Sequence, residues 1–353
     1  MRFERMSGLD EEQFSELECR VSELLEEPWN KERGRPRELT LREALVVTCG
    51  YMRQNIVEDV WADIFDVAQS TISRYITFLV PFVEKATEED RPTAEEAAEA
   101  ARGSIALADG TLWPCWSWNG ESKLWSGKYK TTGHGSLIVT NAQGRITFVS
   151  EPVTGNQHDM AKLRGSDAER ILKKAGGVFG DKGFIGTDYI TTPIRKPECR
   201  ELLQWEHEWN NQVSSFRAPV ERAIATLKTW RMLFTDYRRP LKTFVSSFRA
   251  AIGLYFFKES FANPHGLRSH PQTRRSPRHR PGRPVAVVPR ARPPGHRGPG
   301  HLAASPADRC RAFHQPRPGH PACSSKTTSS GPAGPASPRV TGRGGPGRLR
   351  RRG

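Results

Sequence analysis

Two short apolar runs near the middle of the chain, SIALAD and GGVFGD, each end on a carboxylate, Asp109 and Asp181. Apolar runs of this length, bounded by Gly and Ser, read as buried strands. In an open α/β sheet, the carboxyl ends of neighbouring strands open on one crevice. Between the two runs, GSLIVTNAQGRITFVSEPV holds two β-rich segments, Leu137–Thr140 and Ile146–Val149, around the Asn141–Gly144 turn, a hairpin signal. His158–Ala175 reads as a helix, TTPIRKP as a short last strand, and RAPVERAIATLK as part of a long helix. Strand, hairpin, helix, strand, short strand and long helix predict a mixed α/β domain over residues 104–258.

That long helix carries the most telling pattern. At about 100° per residue, Val220, Ala223, Ile224, Leu227, Trp230 and Phe234 share one face. Arg217, Glu221 and Lys228 fall within a sector of roughly 40° at its edge. One reading is an amphipathic helix with a flanking ion-pair row. The other is a carboxylate delivered to the crevice of Asp109 and Asp181, with cations placed for phosphate. Three gathered carboxylates repel one another unless cations neutralise them, so the second reading predicts bound divalent metal. Pro219 suits a first helical turn, which sets Arg217 just ahead of the helix.

Upstream, the hydrophobic period is helical. Residues 1–36 hold an acidic helix, Leu9–Leu25, with Phe14, Leu17, Val21 and Leu24 at helical spacing, and then the basic linker KERGRPRELT. Residues 37–88 form a second unit, opened by Thr40 and Glu43 at capping-box spacing. Within it, Val57, Val60, Trp61 and Ile64 line one helix face, and Ile72, Ile76 and Leu79 line another. Val67 between them is placed to plug the angle. The second helix turns Gln69, Ser70, Thr71, Ser73 and Arg74 outward, the layout of a helix-turn-helix. Its turn has Asp66 where glycine is usual, and a plain helix pair is the alternative. Residues 89–103 read as an acidic linker or solvated helix.

Charge divides the chain sharply. The net charge is +15, yet from Ala262 onward there are 19 Lys and Arg against one acid, while the first 261 residues hold 35 basic and 38 acidic groups. The same tail holds 17 of the 27 prolines and no Trp or Tyr. Such a composition cannot bury enough apolar surface to offset its ordering entropy, so residues 259–353 read as a disordered appendage. The six cysteines form no C-x-x-C pair, which argues against a zinc knuckle or a disulfide framework. No signal peptide and no apolar run near 18 residues is present, which makes a reducing cytoplasm the default.

In chain order, the segments DGTLW, LWSGKYKTTGHGSLIVTNAQGRI, VTGNQHDM, VFGDKGFIG and FRAPVERAIATLKTWRML resemble the DDE-superfamily endonuclease domain of bacterial insertion-sequence transposases related to Harbinger elements. The likeness runs from about Ser104 to Phe257, and the helix-turn-helix is similar to the domain that commonly precedes it. The resemblance implies an RNase H-like fold. It also implies that Asp109, Asp181 and Glu221 are catalytic ligands of two Mg²⁺ ions, with Mn²⁺ as substitute. The family pattern Tyr-x2-Arg-x3-Glu-x6-Lys is met by Arg217, Glu221 and Lys228, whereas Ser214 stands where Tyr is expected. SGKYK and GNQHD also match family segments, implying phosphate contacts for Lys128 and Lys130; His158 reads as a cap or a phosphate contact, with a metal ligand or an acid–base pair formed with Asp159 as the alternative.

The implied function is that of a transposase: binding the element's terminal inverted repeats, cutting them with metal, and joining 3′-hydroxyls to target DNA. Double-stranded DNA, at least a homodimer, no membrane and a nucleoid-associated cytoplasmic location go with it. The alternatives are a decayed or domesticated copy that only binds DNA, and a regulator with a small-molecule-sensing α/β domain. Trp113, Trp116, Trp118 and Trp125 serve core packing or stacking on an unpaired base. Family members usually end near FVSSFRAAIGLYFFKES, so the tail is either a DNA tether, binding by counterion release, or the product of a slipped reading frame. On both readings it is dispensable for catalysis. A chain ended at Phe261 is expected to cleave element-end DNA at the full-length rate, which side-by-side cleavage assays check.

Overall fold

The structure is a computed structural model and describes residues 3–30, 35–116 and 120–262. The basic tail, from residue 263 on, lies outside the described residues, as do Trp118, Cys310 and Cys323. The described residues fall within one compact unit, Met1–Ser276.

Five helices come first: α1 (Phe3–Ser7), α2 (Glu11–Leu24), α3 (Leu41–Gln54), α4 (Glu58–Phe65) and α5 (Gln69–Ala86). Capping boxes start two of them, Asp10 with Gln13 and Thr40 with Glu43, each cap worth about 1 kcal/mol. The α4–α5 turn needs no glycine, because Asp66 adopts the left-handed conformation itself (φ 52°, ψ 49°), which aspartate tolerates through its short polar side chain. Val67 packs against the core as its position in the turn requires. Ile72, Ile76 and Leu79 are fully buried, but of the α4 stripe only Trp61 is; Val57, Val60 and Ile64 face outward. The indole of Trp61 fills space left by Gly50, whose added Cβ would stand 2.5 Å from it.

The second half begins with α6 (Ala94–Ala101), in the stretch expected to be a linker or a solvated helix. Its Ala97, Ala98 and Ala101 are buried, and it packs on the later helix α8 (Asp167–Lys174). The strands are β1 (Ile105–Pro114), β2 (Trp125–Ser126), β3 (Thr131–Asn141), β4 (Ile146–Val149), β5 (Val153–Thr154) and β6 (Gly177–Phe179). They form one mixed sheet in which β3 pairs antiparallel with β1, β2, β4 and β5, while β1 pairs parallel with β6. β1 does not end at Asp109 but continues five residues, pairing Asp109 with Ile138 and Pro114 with Gly133. The expected helix His158–Ala175 is two helices, α7 (Asp159–Leu163) and α8, parted at Gly165 with its φ of 71°. TTPIRKP makes no strand, only a bridge from Thr191 to Phe179.

Two long helices complete the unit, α9 (Gln204–Leu227) and α10 (Phe244–Ala262). α9 starts well before Pro219, so Arg217 lies inside the helix and not ahead of it. Val220, Ala223, Leu227 and Trp230 are buried as the stripe predicts; Phe234 lies beyond the helix and is exposed. Alternate residues of β1 face opposite sides of the sheet. Leu107 and Trp113 join the core beneath α9 and α10, and Ala106 and Ala108 join a second core with Ile171, Leu172 and Phe184. The middle of α10, residues 250–257, is buried around its whole circumference, and Phe248 and Phe257 are fully buried. α10 packs on α5 and α3, so the helical half and the sheet share one core.

Gly253 is where α10 comes closest to the end of α5: a Cβ there would stand 2.1 Å from Thr87 Oγ1. Overpacking of this kind typically costs 1–3 kcal/mol, so Gly253→Ala is expected to lose about that much. Urea unfolding measures it, and adding Thr87→Ala is expected to restore part.

Candidate active site

Leu107 of β1 pairs with Phe179 of β6 in parallel. Asp109 and Asp181 each follow two residues later, so one register sets both carboxylates at the same end of the sheet. Asp109 is largely buried, and burial lifts its pKa to about 6, with Asp181 pushing in the same direction against the pull of Arg217. The two acids therefore share one electrostatic environment.

Each acid is tied to its surroundings. The Nη2 of Arg217 donates to Asp109 Oδ2 at 2.9 Å, and the Gly110 N–H donates to Asp109 Oδ1 at 2.8 Å. Gly183 N–H donates to Asp181 Oδ1 at 2.7 Å, which fixes that carboxylate at the start of a short 3₁₀ turn. Lys128 spans two acids, donating to Asp159 Oδ2 at 3.1 Å and to Asp181 Oδ2 at 3.4 Å. Asp159 is buried and also accepts from Lys162 Nζ at 2.9 Å. Burial alone would raise its pKa, but Lys162 and Lys128 outweigh that and hold it below the ordinary carboxylate value. Three acids and three cations thus interlock here.

The arrangement departs from three acids around one point. Glu221 is exposed, one helical turn past Arg217, and among the described residues it makes no hydrogen bond or ion pair. Among the described residues no set of three His, Cys, Asp or Glu side chains stands close enough to hold a metal. Arg217, expected to reach phosphate, is buried and committed to Asp109, and its Nε has no partner. Lys228 lies half-buried with its ammonium 5.9 Å from the Trp113 ring centre, and burial lowers its pKa against the pull of Asp109. Lys130 is exposed with φ 54°, and His158 is exposed at the start of α7. Ser214 faces solvent on α9.

A cavity of about 480 Å³ opens beside the acids. Lys128, Lys182 and Arg195 supply its cationic wall, Asn156, Gln157 and His158 its neutral polar groups, and Asp159 and Asp181 its acids. Such a wall suits a phosphate backbone. Of the tryptophans, Trp113 is core, its Nε1 donating to Ser136 Oγ at 2.9 Å, while Trp116 and Trp125 are exposed. On the helical side, Gln69, Ser70 and Arg74 are exposed and Thr71 is half-exposed; Arg74 folds back on Ser70. Ser73 is half-exposed like Thr71. Buried Arg239 donates to its carbonyl at 3.3 Å and also pairs with Glu58, whose other oxygen accepts from Gln69.

The oxygen donors and hard charges of the acid pair suit a divalent cation of the magnesium type. A mixed sheet with paired aspartates and a basic cleft, preceded by a helix-turn-helix, defines a class of DNA-processing protein. Comparison with known proteins agrees. Residues 108–254 match the DDE superfamily endonuclease family, and residues 37–89 match the helix-turn-helix of DDE superfamily endonucleases. The chain carries both domains of this superfamily, whose members are generally divalent-metal dependent. It is 28% identical over 229 residues (64% of this chain, 83% of the relative) to a Streptomyces albus G protein assigned as transposase of insertion sequence element IS112. It is 23% identical over 267 residues (73% of this chain, 94% of the relative) to a Microchaete diplosiphon protein assigned as transposase of element IS702. No solved structure matches the chain significantly.

Lys162 was not legible as a site residue, and Asp159 only as the partner of His158. Their one signal is the His-Asp pair at a helix start with Lys three residues on, a spacing that lets the two side chains meet.

The raised pKa of Asp109 has a consequence for stability. The folded chain holds this proton more tightly than the unfolded chain, so the contribution is present at about pH 4 and is lost as pH rises through about 6. In chelator-containing buffer, Asp109→Asn is therefore expected to gain in Tm relative to the native chain as pH goes from about 4 to about 7. Thermal melts of both chains across that range measure the difference.

Proposed function

We propose that this chain is an insertion-sequence transposase of the Harbinger-related group that cuts its element's ends with divalent metal and transfers the 3′-hydroxyls to target DNA. The observation that supports the reading is the parallel register from which Asp109 and Asp181 both follow two residues on, with Asp181 lining a cavity that Lys128, Lys182 and Arg195 also line. Asp109 and Asp181 hold the metal from the sheet, and Glu221 on α9 is the third carboxylate. When bound, two divalent ions supply an activated water or 3′-hydroxyl and stabilise the leaving oxygen.

The protein's own side chains do the rest. Arg217 holds Asp109 in place by its 2.9 Å bond. Lys128, Lys130, Lys182, Arg195 and His158 line or flank the approach and grip the phosphates on either side of the cut, and Lys228 offsets charge at the far end of α9. The helix-turn-helix presents Gln69, Ser70, Thr71 and Arg74 to the major groove of an inverted repeat. Ser73 holds the helix to Arg239 instead. Two ends must meet for transfer, which calls for at least a homodimer, and no described helix is long and apolar enough to cross a membrane.

A second reading, a DNA-binding chain without catalysis, draws on two observations: Ser214 replaces the family's Tyr, and Glu221 stands apart from the other acids. One experiment separates the two. The full chain is expected to cut DNA bearing the element ends only with Mg²⁺ or Mn²⁺. Asp109→Asn, Asp181→Asn and Glu221→Gln are each expected to lower the rate by on the order of 10⁴-fold, as removal of one member of a catalytic unit does, with end binding retained. Specific binding without cutting by the native chain would establish the second reading. Arg74→Ala is expected to weaken end binding about tenfold without changing the cleavage rate at saturating protein, since it removes contacts to DNA and not to the reacting atoms.

A further inference from the structure

Asp159 has no role in the reaction as written above, yet it is the most deeply set acid of the site. Its carboxylate occupies the gap between the two chain segments that carry the paired aspartates. A Cβ added at Gly110, the residue after Asp109, would stand 2.1 Å from Asp159 Oδ1. A Cβ added at Gly183, two residues after Asp181, would stand 2.9 Å from Asp159 Oδ2. The carboxylate thus touches bare backbone on both sides, and nothing larger than glycine fits at either wall. Its counter-ion is equally confined. Lys162 reaches it through space left by Gly135 of β3, where a Cβ would lie 2.6 Å from Lys162 Cε. Side chains of both partners are only 5–6% exposed.

A buried ion pair is seldom more stable than apolar side chains of the same volume. What this pair provides is position: it fixes a carboxylate between two backbones and presents its second oxygen to Lys128, which leans on Asp181. We propose that Asp159 is a positioning residue, a charged spacer locked by Lys162 that sets the separation of the Asp109 and Asp181 segments and steers Lys128 onto Asp181. It acts through those residues and touches neither the metal nor the substrate. The inference rests on the metal-binding reading of Asp109 and Asp181.

Mn²⁺ binding to the full chain, followed by electron paramagnetic resonance of free Mn²⁺ without DNA, tests it. Asp159→Asn is expected to weaken Mn²⁺ binding roughly 10–100-fold, as loss of a group that orients metal ligands does. Gly110→Ala, which keeps every charge but displaces the carboxylate, is expected to weaken Mn²⁺ similarly, and to add nothing further when Asp159 is already Ala. Should Asp159→Asn not fold, Asp159→Asn with Lys162→Met removes both buried charges and is expected to show the same weakened Mn²⁺ binding. Native-like Mn²⁺ affinity in Asp159→Asn or in Gly110→Ala overturns the spacer role. Loss of Mn²⁺ as complete as in Asp181→Asn overturns it too, by making Asp159 a ligand. A native chain that binds no Mn²⁺ overturns the metal reading itself, and this inference with it.

Discussion

The parallel register of β1 with β6 places Asp109 on β1 and Asp181 just past the end of β6, each two residues beyond the Leu107–Phe179 pair. Like charges at such a spacing, one of them largely out of water, are costly unless cations are supplied. Much of the surrounding structure meets that demand. α9 crosses the sheet so that Arg217 reaches Asp109, the loop after β2 brings Lys128 to Asp181, and α7 brings Asp159 with Lys162 already attached. The result balances three carboxylates with three cations, and Asp181 adds to the burial that raises the pKa of Asp109.

A second consequence concerns how recognition meets chemistry. The middle of α10, residues 250–257, is apolar and buried on every side, and the helical half and the sheet share a core around it. Arg239, which follows α9, is buried among Glu58, Ser73 and Thr77, and its guanidinium carbon lies 5.8 Å from the Tyr51 ring centre. Asn55 donates to Thr235 and to the Asp236 carbonyl across the same seam. α5 is thereby held to the sheet through a shared core and not by a flexible tether.

Local signals in the chain were legible wherever the cause is local. Thr40 with Glu43, the α4–α5 turn, the apolar strands and the α9 stripe were readable because caps, periodicity and turn chemistry act over a few residues. β1 runs past Asp109 because its partner β3 is long; DGTLWP carries a glycine and a proline and has no strand signal of its own. α6 reads as solvated because its buried face is only alanine. Gly165 in a helical pattern did not announce a break, since a lone glycine is tolerated in helices. The Val57, Val60 and Ile64 stripe predicted burial that only Trp61 achieves. At the site, two aspartates were legible from strand ends. The Arg217–Asp109 bond joins residues 108 apart, and the Asp159 spacer depends on three glycines in three segments. Neither has a local signature.

Asp109, Asp181 and Glu221 are proposed to form one metal site. Diffraction from crystals soaked in Mn²⁺, with the anomalous signal used to locate the ion, tests it most directly. The account predicts a peak with oxygens of both Asp109 and Asp181 at roughly 2.0–2.3 Å and Glu221 turned in to ligate it or a second ion beside it. A peak held by other residues, or by Asp109 and Asp181 with Glu221 still facing solvent when DNA is bound, would contradict it.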